Sequence, residues 1–273
     1  MSTWVLLRGL TRERRHWGSF PTTFSQAVPD ANVNALDLPG NGALHREQSP
    51  AAVPEMAEHC RRALLAQGIA PPYHLLAMSL GAMVATAWGA AHPDEIAAVV
   101  MINTSMRPFN PFHQRLRPGN YGRLLRLMLA PGTSNDDWER AILAMTSRRP
   151  HHPEGLLADW VSYRRESPVA AGNALRQLVA AARFCAPLTK PIAHVLVLAS
   201  SGDGLVDLRC SEQLAARWQV PLAVHPWAGH DLPLDDATWL AAQVAAWLRG
   251  VPADVAAAPA PTDAPALQGR LMR

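Results

Sequence analysis

Short apolar runs recur along this chain, each bounded by glycine, proline or polar residues, and stretches with helical spacing of their apolar positions lie between them. The runs fall at 4–8, 31–38, 73–77, 97–104, 194–199 and 222–226. They are short, apolar and β-branched, as strands buried on both faces of a parallel sheet must be. Segments 54–67, 81–91, 208–218 and 238–248 carry apolar residues at helical intervals. Strand and helix therefore alternate, which predicts a doubly wound α/β layer whose helices serve as crossovers between parallel strands.

One stretch breaks that rhythm. Between 106 and 187 no strand is convincing, while 122–130, 136–147, 153–164 and 168–184 have amphipathic helical spacing, separated by prolines and Gly-Asn or Gly-Thr pairs. The sheet pattern resumes at Ile192. This predicts a core of 1–105 and 188–249 with a helical lid, 106–187, inserted after the fourth strand. Such a lid hangs over the carboxyl ends of the strands, where open α/β sheets bind ligands. Residues 250–273 are rich in alanine and proline with no apolar face, and predict a disordered tail.

With 273 residues, 49% hydrophobic and 17% charged, the chain has the make-up of a soluble globular protein with a large core. Arg8 and the run Thr11-Arg-Glu-Arg-Arg interrupt the N-terminal apolar stretch, an order unlike a signal peptide, and no apolar run is long enough to span a bilayer. Cys60, Cys185 and Cys210 are widely spaced and odd in number, which suits a reduced thiol set and a cytoplasmic location. Lys190 is the only lysine. From Ser105 to Lys190, twelve arginines and that lysine face six carboxylates, although the whole chain carries only +3. Such asymmetry suits either a solvated helical face or a surface that meets an acidic partner.

The candidate chemistry centres on Ala77-Met78-Ser79-Leu80-Gly81, between the third strand and a helix. This is a version of the Gly-x-Ser-x-Gly nucleophile elbow, a turn so sharp that the serine projects above the sheet. A serine hydroxyl needs a base to take its proton and an acid to orient that base. His230 follows the last strand and a glycine in Trp227-Ala-Gly-His230-Asp-Leu-Pro, and is the base candidate. Asp203, after the fifth strand in Ser200-Ser-Gly-Asp203-Gly, is the acid candidate, with Asp207 in reserve because a carboxylate opening a helix is explained by capping. The oxyanion donors are expected to be the amides of Leu80 and of Leu10, which Gly9 lets turn inward.

With these residues in hand, the chain resembles the α/β-hydrolase superfamily over roughly residues 4–249. Arg8-Gly9-Leu10 stands where that family usually has His-Gly; Asp37-Leu-Pro-Gly40-Asn-Gly42, His92-Pro93 and Ala228-Gly229-His230 also fit. Within it the chain is most similar to small bacterial carboxylesterases of the pimeloyl-acyl-carrier-protein methyl ester esterase type. Two departures are Arg8 in place of the histidine and Ala77 in place of the first glycine. The resemblance implies two-step acyl transfer through Ser79, His230 and Asp203 on a carboxylic ester, with no metal or organic cofactor. Trp17, Met78, Met106, Phe109, Phe112, Trp160 and Trp227 are candidate pocket walls. A thioester, a lactone or a carbon–carbon bond next to a ketone could use the same machinery, and the arginine-rich lid suits an acyl-carrier protein or a coenzyme A headgroup. A non-catalytic ligand-binding version of the fold is the remaining alternative.

Overall fold

The computed structural model describes residues 1–129 and 133–251. In it the apolar runs pair as strands β1 (Ser2–Leu7), β2 (Ala31–Leu36), β3 (Tyr73–Met78), β4 (Ile96–Ile102), β5 (Val195–Ser200) and β6 (Leu222–His225). They form one sheet in the order 2-1-3-4-5-6, every neighbouring pair parallel. Helices α1 (Phe20–Ala27), α2 (Val53–Ala66) and α3 (Leu80–Ala91) follow the first three strands. Helices α4 (Phe112–Arg115), α5 (Tyr121–Leu129), α6 (Asn135–Thr146), α7 (Leu156–Glu166) and α8 (Ala171–Arg183) lie between β4 and β5. Then come α9 (Arg209–Trp218), and after β6 the short α10 (Leu232–Asp235) and α11 (Ala237–Leu248). Most of the expected disordered tail lies outside the described residues.

Successive strand residues face opposite layers, and here both layers are apolar. Trp4, Leu6, Leu76, Met78, Val100, Ile102, Leu196 and Leu198 pack with Phe20 and Phe24 of α1 and Leu240 and Val244 of α11. Their neighbours Val5, Leu7, Leu75, Ala77, Val99, Met101, Val195 and Val197 pack with α2, α3 and α9 on the other side. This is why the strands read as continuous apolar runs. The order of strands reverses at β1, between β2 and β3, so the loops after β1 and β3 part there and leave a crevice at the carboxyl edge.

Leu76→Ala should show how much one core position contributes. The side chain is fully buried in the centre of the sheet. The expected loss is about 2–5 kcal/mol, read as a lower urea midpoint with an unchanged slope.

Candidate active site

Ser79 sits between β3 and α3 with φ 54° and ψ −117°, a conformation that is costly for a residue with a Cβ. Its neighbours hold it there. The Ser79 amide donates to the Ile102 carbonyl at 2.9 Å, and the Thr104 hydroxyl donates to the Ser79 carbonyl at 3.0 Å, both from the end of β4. Gly81 explains the helix start: a Cβ there would lie 2.4 Å from the Leu7 carbonyl oxygen and 2.7 Å from that of Arg8. Ala77, in place of the usual glycine, lies inside β3, fully buried between β1 and β4.

His230 lies on the loop after β6, and its Nδ1 is 2.7 Å from Asp203 Oδ2. The other oxygen, Oδ1, accepts the amides of Leu205 at 2.8 Å and Val206 at 2.9 Å. The aspartate carbonyl in turn accepts from Arg117 Nη1 at 2.8 Å. Burial opposes charge on the ring, but the Asp203 carboxylate, through its field and its hydrogen bond, and then Asp231 outweigh that. The imidazole pKa is raised above its ordinary value, with Arg8 pulling the other way. Asp207, the reserve acid, is committed elsewhere. It pairs with Arg209 at 2.8 Å and accepts the Arg209 amide, and the guanidinium hydrogen bond pushes its pKa down to about 2.

Three contacts that the sequence did not suggest fix the histidine loop. Asn103, at the end of β4 with φ 46°, donates to the Gly229 carbonyl at 3.2 Å and the His230 carbonyl at 2.8 Å, and accepts the Ser200 amide at 2.9 Å. The end of α6 closes on the same loop: the Asp231 amide donates to the Thr146 carbonyl at 2.8 Å, and Asp235 accepts the amides of Gly229 and Arg148 and the Ser147 hydroxyl. Gly229 permits this approach, since a Cβ would sit 2.4 Å from the Thr146 carbonyl oxygen. The third is a bidentate ion pair, Arg8 Nη1 to Asp231 Oδ1 at 3.0 Å and Nη2 to Oδ2 at 2.6 Å, with both side chains almost wholly buried. It ties the residue before Gly9 to the residue after His230. Arg8 fills the place of the family's histidine, and its partner is 223 positions away, so only its odd identity was visible beforehand.

Ser79, Leu80, His230 and Leu10 line one cavity of about 210 Å³. Gly9 brings the loop after β1 against the serine; its virtual Cβ is 3.2 Å from Ser79 Cβ and 3.6 Å from Oγ. Leu80 opens α3, where the first amides lack an intrahelical acceptor. Among the described residues neither the Leu80 nor the Leu10 amide donates to a protein acceptor.

Of the expected wall residues, Met78 and Phe112 line this cavity and five do not. Trp17 packs on Phe20 with the Arg8 guanidinium 4.9 Å above its ring. Trp160 is buried beneath Arg12, at 4.4 Å. Met106 is buried where Thr86 donates to its sulfur, and Phe109 meets the edge of Trp218. Trp227 lies half-exposed against His225. These rings serve arginines and the core, and aliphatic residues from between β4 and β5 (Leu116, Leu124, Ile142, Met145 and Leu178) do much of the lining instead. Arg15 over Tyr163 at 4.3 Å and Arg164 over Trp138 at 4.2 Å extend the stacking.

With this geometry in place, the alpha/beta hydrolase family profile matches residues 4–243. The chain belongs to the alpha/beta hydrolase family. A pimeloyl-[acyl-carrier protein] methyl ester esterase of Chromobacterium violaceum is 34% identical over 92 residues, a match that spans only about a third of either chain (34% of each). A Caulobacter vibrioides protein provisionally named carbamate hydrolase RutD is 26% identical over 261 residues, 90% of both chains. Among solved structures, the 2-hydroxy-6-oxo-6-phenylhexa-2,4-dienoate hydrolase of a Rhodococcus species superposes with a TM-score of 0.72 at 20% identity, covering 91% of this hydrolase and 90% of that chain. Among the described residues no group of three or more His, Cys, Asp or Glu side chains is placed to hold a metal ion, and no helix is long and apolar enough to cross a membrane.

The buried ion pair lends itself to a double-mutant cycle. Arg8→Gln and Asp231→Asn each strand a buried charge, and each should cost about 3–5 kcal/mol in chemical denaturation. The double variant should lose clearly less than the two single losses added together.

Proposed function

We propose that this hydrolase cleaves a carboxylic ester through a covalent acyl-enzyme on Ser79. The observation that carries this reading is the His230–Asp203 hydrogen bond at 2.7 Å on a ring that shares one cavity with a serine held at φ 54°. His230 Nε2 takes the Ser79 proton as the oxygen attacks the acyl carbon. The amides of Leu10 and Leu80 stabilise the oxyanion, and the leaving alcohol departs with the proton from Nε2. Water, activated by the same ring, then releases the acid and restores the serine. The Asp203 carboxylate orients the ring and favours the imidazolium that forms twice per turnover. The unbridged thiols Cys60, Cys185 and Cys210 support a reducing, cytoplasmic setting.

A second reading keeps this chemistry and supplies the acyl group on an acidic carrier. Arg123, Arg126 and Arg165 are exposed on α5 and α7, which supports docking of such a carrier there. Arg164 has a different employment, half-buried on Trp138 and hydrogen-bonded to Asn135 at 3.2 Å. Charge reversal at the three exposed arginines should then slow carrier-linked substrates while sparing p-nitrophenyl butyrate; equal losses on both would reject the docking role.

A fluorophosphonate probe tests the main reading directly. Wild-type protein should be labelled at Ser79, and Ser79→Ala should be neither labelled nor active; labelling elsewhere or persistent activity would overturn the assignment. Asp203→Asn should lose roughly 10⁴-fold in kcat on p-nitrophenyl butyrate.

The pH profile has a definite sign. The base acts only when neutral and its pKa is raised, so kcat/KM should fall on the acid side through a midpoint above about 6.5, the ordinary imidazole value. The groups facing the ring are Asp203 and Asp231, which raise it, and Arg8, which lowers it. Arg8→Gln should therefore move the acid limb to higher pH and Asp231→Asn to lower pH.

A further inference from the structure

Among the described residues the cavity wall carries four charged side chains: Arg8, Arg12, Arg115 and Asp231. Two of the cations are already neutralised. Arg8 is held by Asp231, and Arg12 by Glu139 at 2.5 Å. Arg115 differs from both, because among the described residues no carboxylate comes within ion-pairing distance of its guanidinium. It is half-buried on α4, beside Phe112, Leu116, Leu178, Ala181 and Ala182.

Its position is fixed from behind. Nη1 donates to the Ala182 carbonyl at 3.3 Å and Nη2 to the Ala181 carbonyl at 2.5 Å. These are the last turn of α8, whose carbonyls lack intrahelical donors and carry partial negative charge. The two contacts orient the group without cancelling its charge. Nε is buried and donates to nothing among the described residues, as is true of Arg8 Nε and Arg12 Nη2 on the same wall. Burial, and then the neighbouring Arg107, lower the Arg115 pKa, while Cys210 acts the other way. Partly desolvating a guanidinium without an anion is unfavourable, and an apolar wall does nothing to offset that.

We propose that the cavity accepts an ester bearing a second, ionised carboxylate, and that Arg115 receives that carboxylate while the ester carbonyl lies at Ser79. The inference rests on the esterase reading above and narrows its substrate class. One net positive charge remains on the wall after the two ion pairs, which matches a singly charged carboxylate better than a phosphate dianion. The aliphatic residues along the wall suit a methylene chain joining the two ends of such a half-ester. Guanidinium–carboxylate pairing also gives direction, since the planar donor set orients the chain that it holds.

The test uses binding, so that it does not depend on turnover. Calorimetric titration of Ser79→Ala compares monomethyl adipate, a singly charged half-ester, with dimethyl adipate, its neutral counterpart. The half-ester should bind roughly ten- to hundredfold tighter, the range expected for charge-assisted hydrogen bonds. Adding Arg115→Met should bring that ratio to within about twofold, and Arg115→Lys should restore part of it. The ratio of the two ligands within one variant is the readout, because Arg115 also ties α4 to α8 and the methionine variant is expected to be less stable. Equal affinity for the two esters in Ser79→Ala, or an unchanged ratio in the methionine variant, would overturn the proposal. Selective binding by a protein whose wild type takes no fluorophosphonate label would leave this subsite standing and remove the esterase reading. Labelling without selectivity would do the reverse.

Discussion

Asp203 keeps a carboxylate almost wholly out of water, at 3% exposure, and it can do so because each oxygen is occupied. Two backbone amides hold one oxygen and the His230 ring holds the other. An ionised carboxylate in such a place is tolerable only when it is paired and hydrogen-bonded. Its needs therefore fix the geometry around it: the tight turn after β5, the tautomer of the histidine, and the reach of the loop after β6. Remove the charge and the ring loses both the tautomer that it is held in and the partner that stabilises its protonated form.

The histidine loop is held on every side by a different physical device. Asn103 supplies neutral hydrogen bonds from the end of β4, Asp235 gathers amides from its own loop and from the end of α6, and Arg8 reaches across from β1 with a full charge. An active centre needs its groups held to within a fraction of an ångström. Elements from β1, β4, β5 and the helices before β5 all contribute to holding the candidate site, so it belongs to the fold as a whole and to no single segment. The cost is a set of buried polar groups that must remain mutually satisfied.

Strands buried on both faces leave a plain trace in a sequence, and those of this protein were legible to within a residue or two at most ends. The strand–turn–helix around Ser79 was legible for a similar reason, because a buried apolar run and a helix of small residues flank it. Helix α1 was not, since its eight residues include two threonines and bury chiefly Phe20 and Phe24. The aromatic residues misled for a deeper reason. Residue type says that Trp17 and Trp160 are large and apolar, but not that their faces lie beneath Arg8 and Arg12. The true wall is made of leucine, isoleucine and methionine from amphipathic helices, whose spacing looks the same whether the apolar face meets a core or a cavity. The partner of Arg8 was out of reach because the pairing depends on two loops meeting at the sheet edge.

The stacked arginines bear on how a molecule reaches the serine. Arg12 and Arg15, on the segment after β1, grip α7 through Trp160 and Tyr163, and Arg12 grips α6 through Glu139. Lysine could not replace them, lacking the flat face that rests on a ring. That flank of the helical layer is effectively bolted to the sheet. Phe112 and Leu178, by contrast, line the cavity while standing 58% and 38% open to solvent. On the α4–α8 side the chamber is thus edged by apolar side chains open to water, with Arg115 beside them on the same wall.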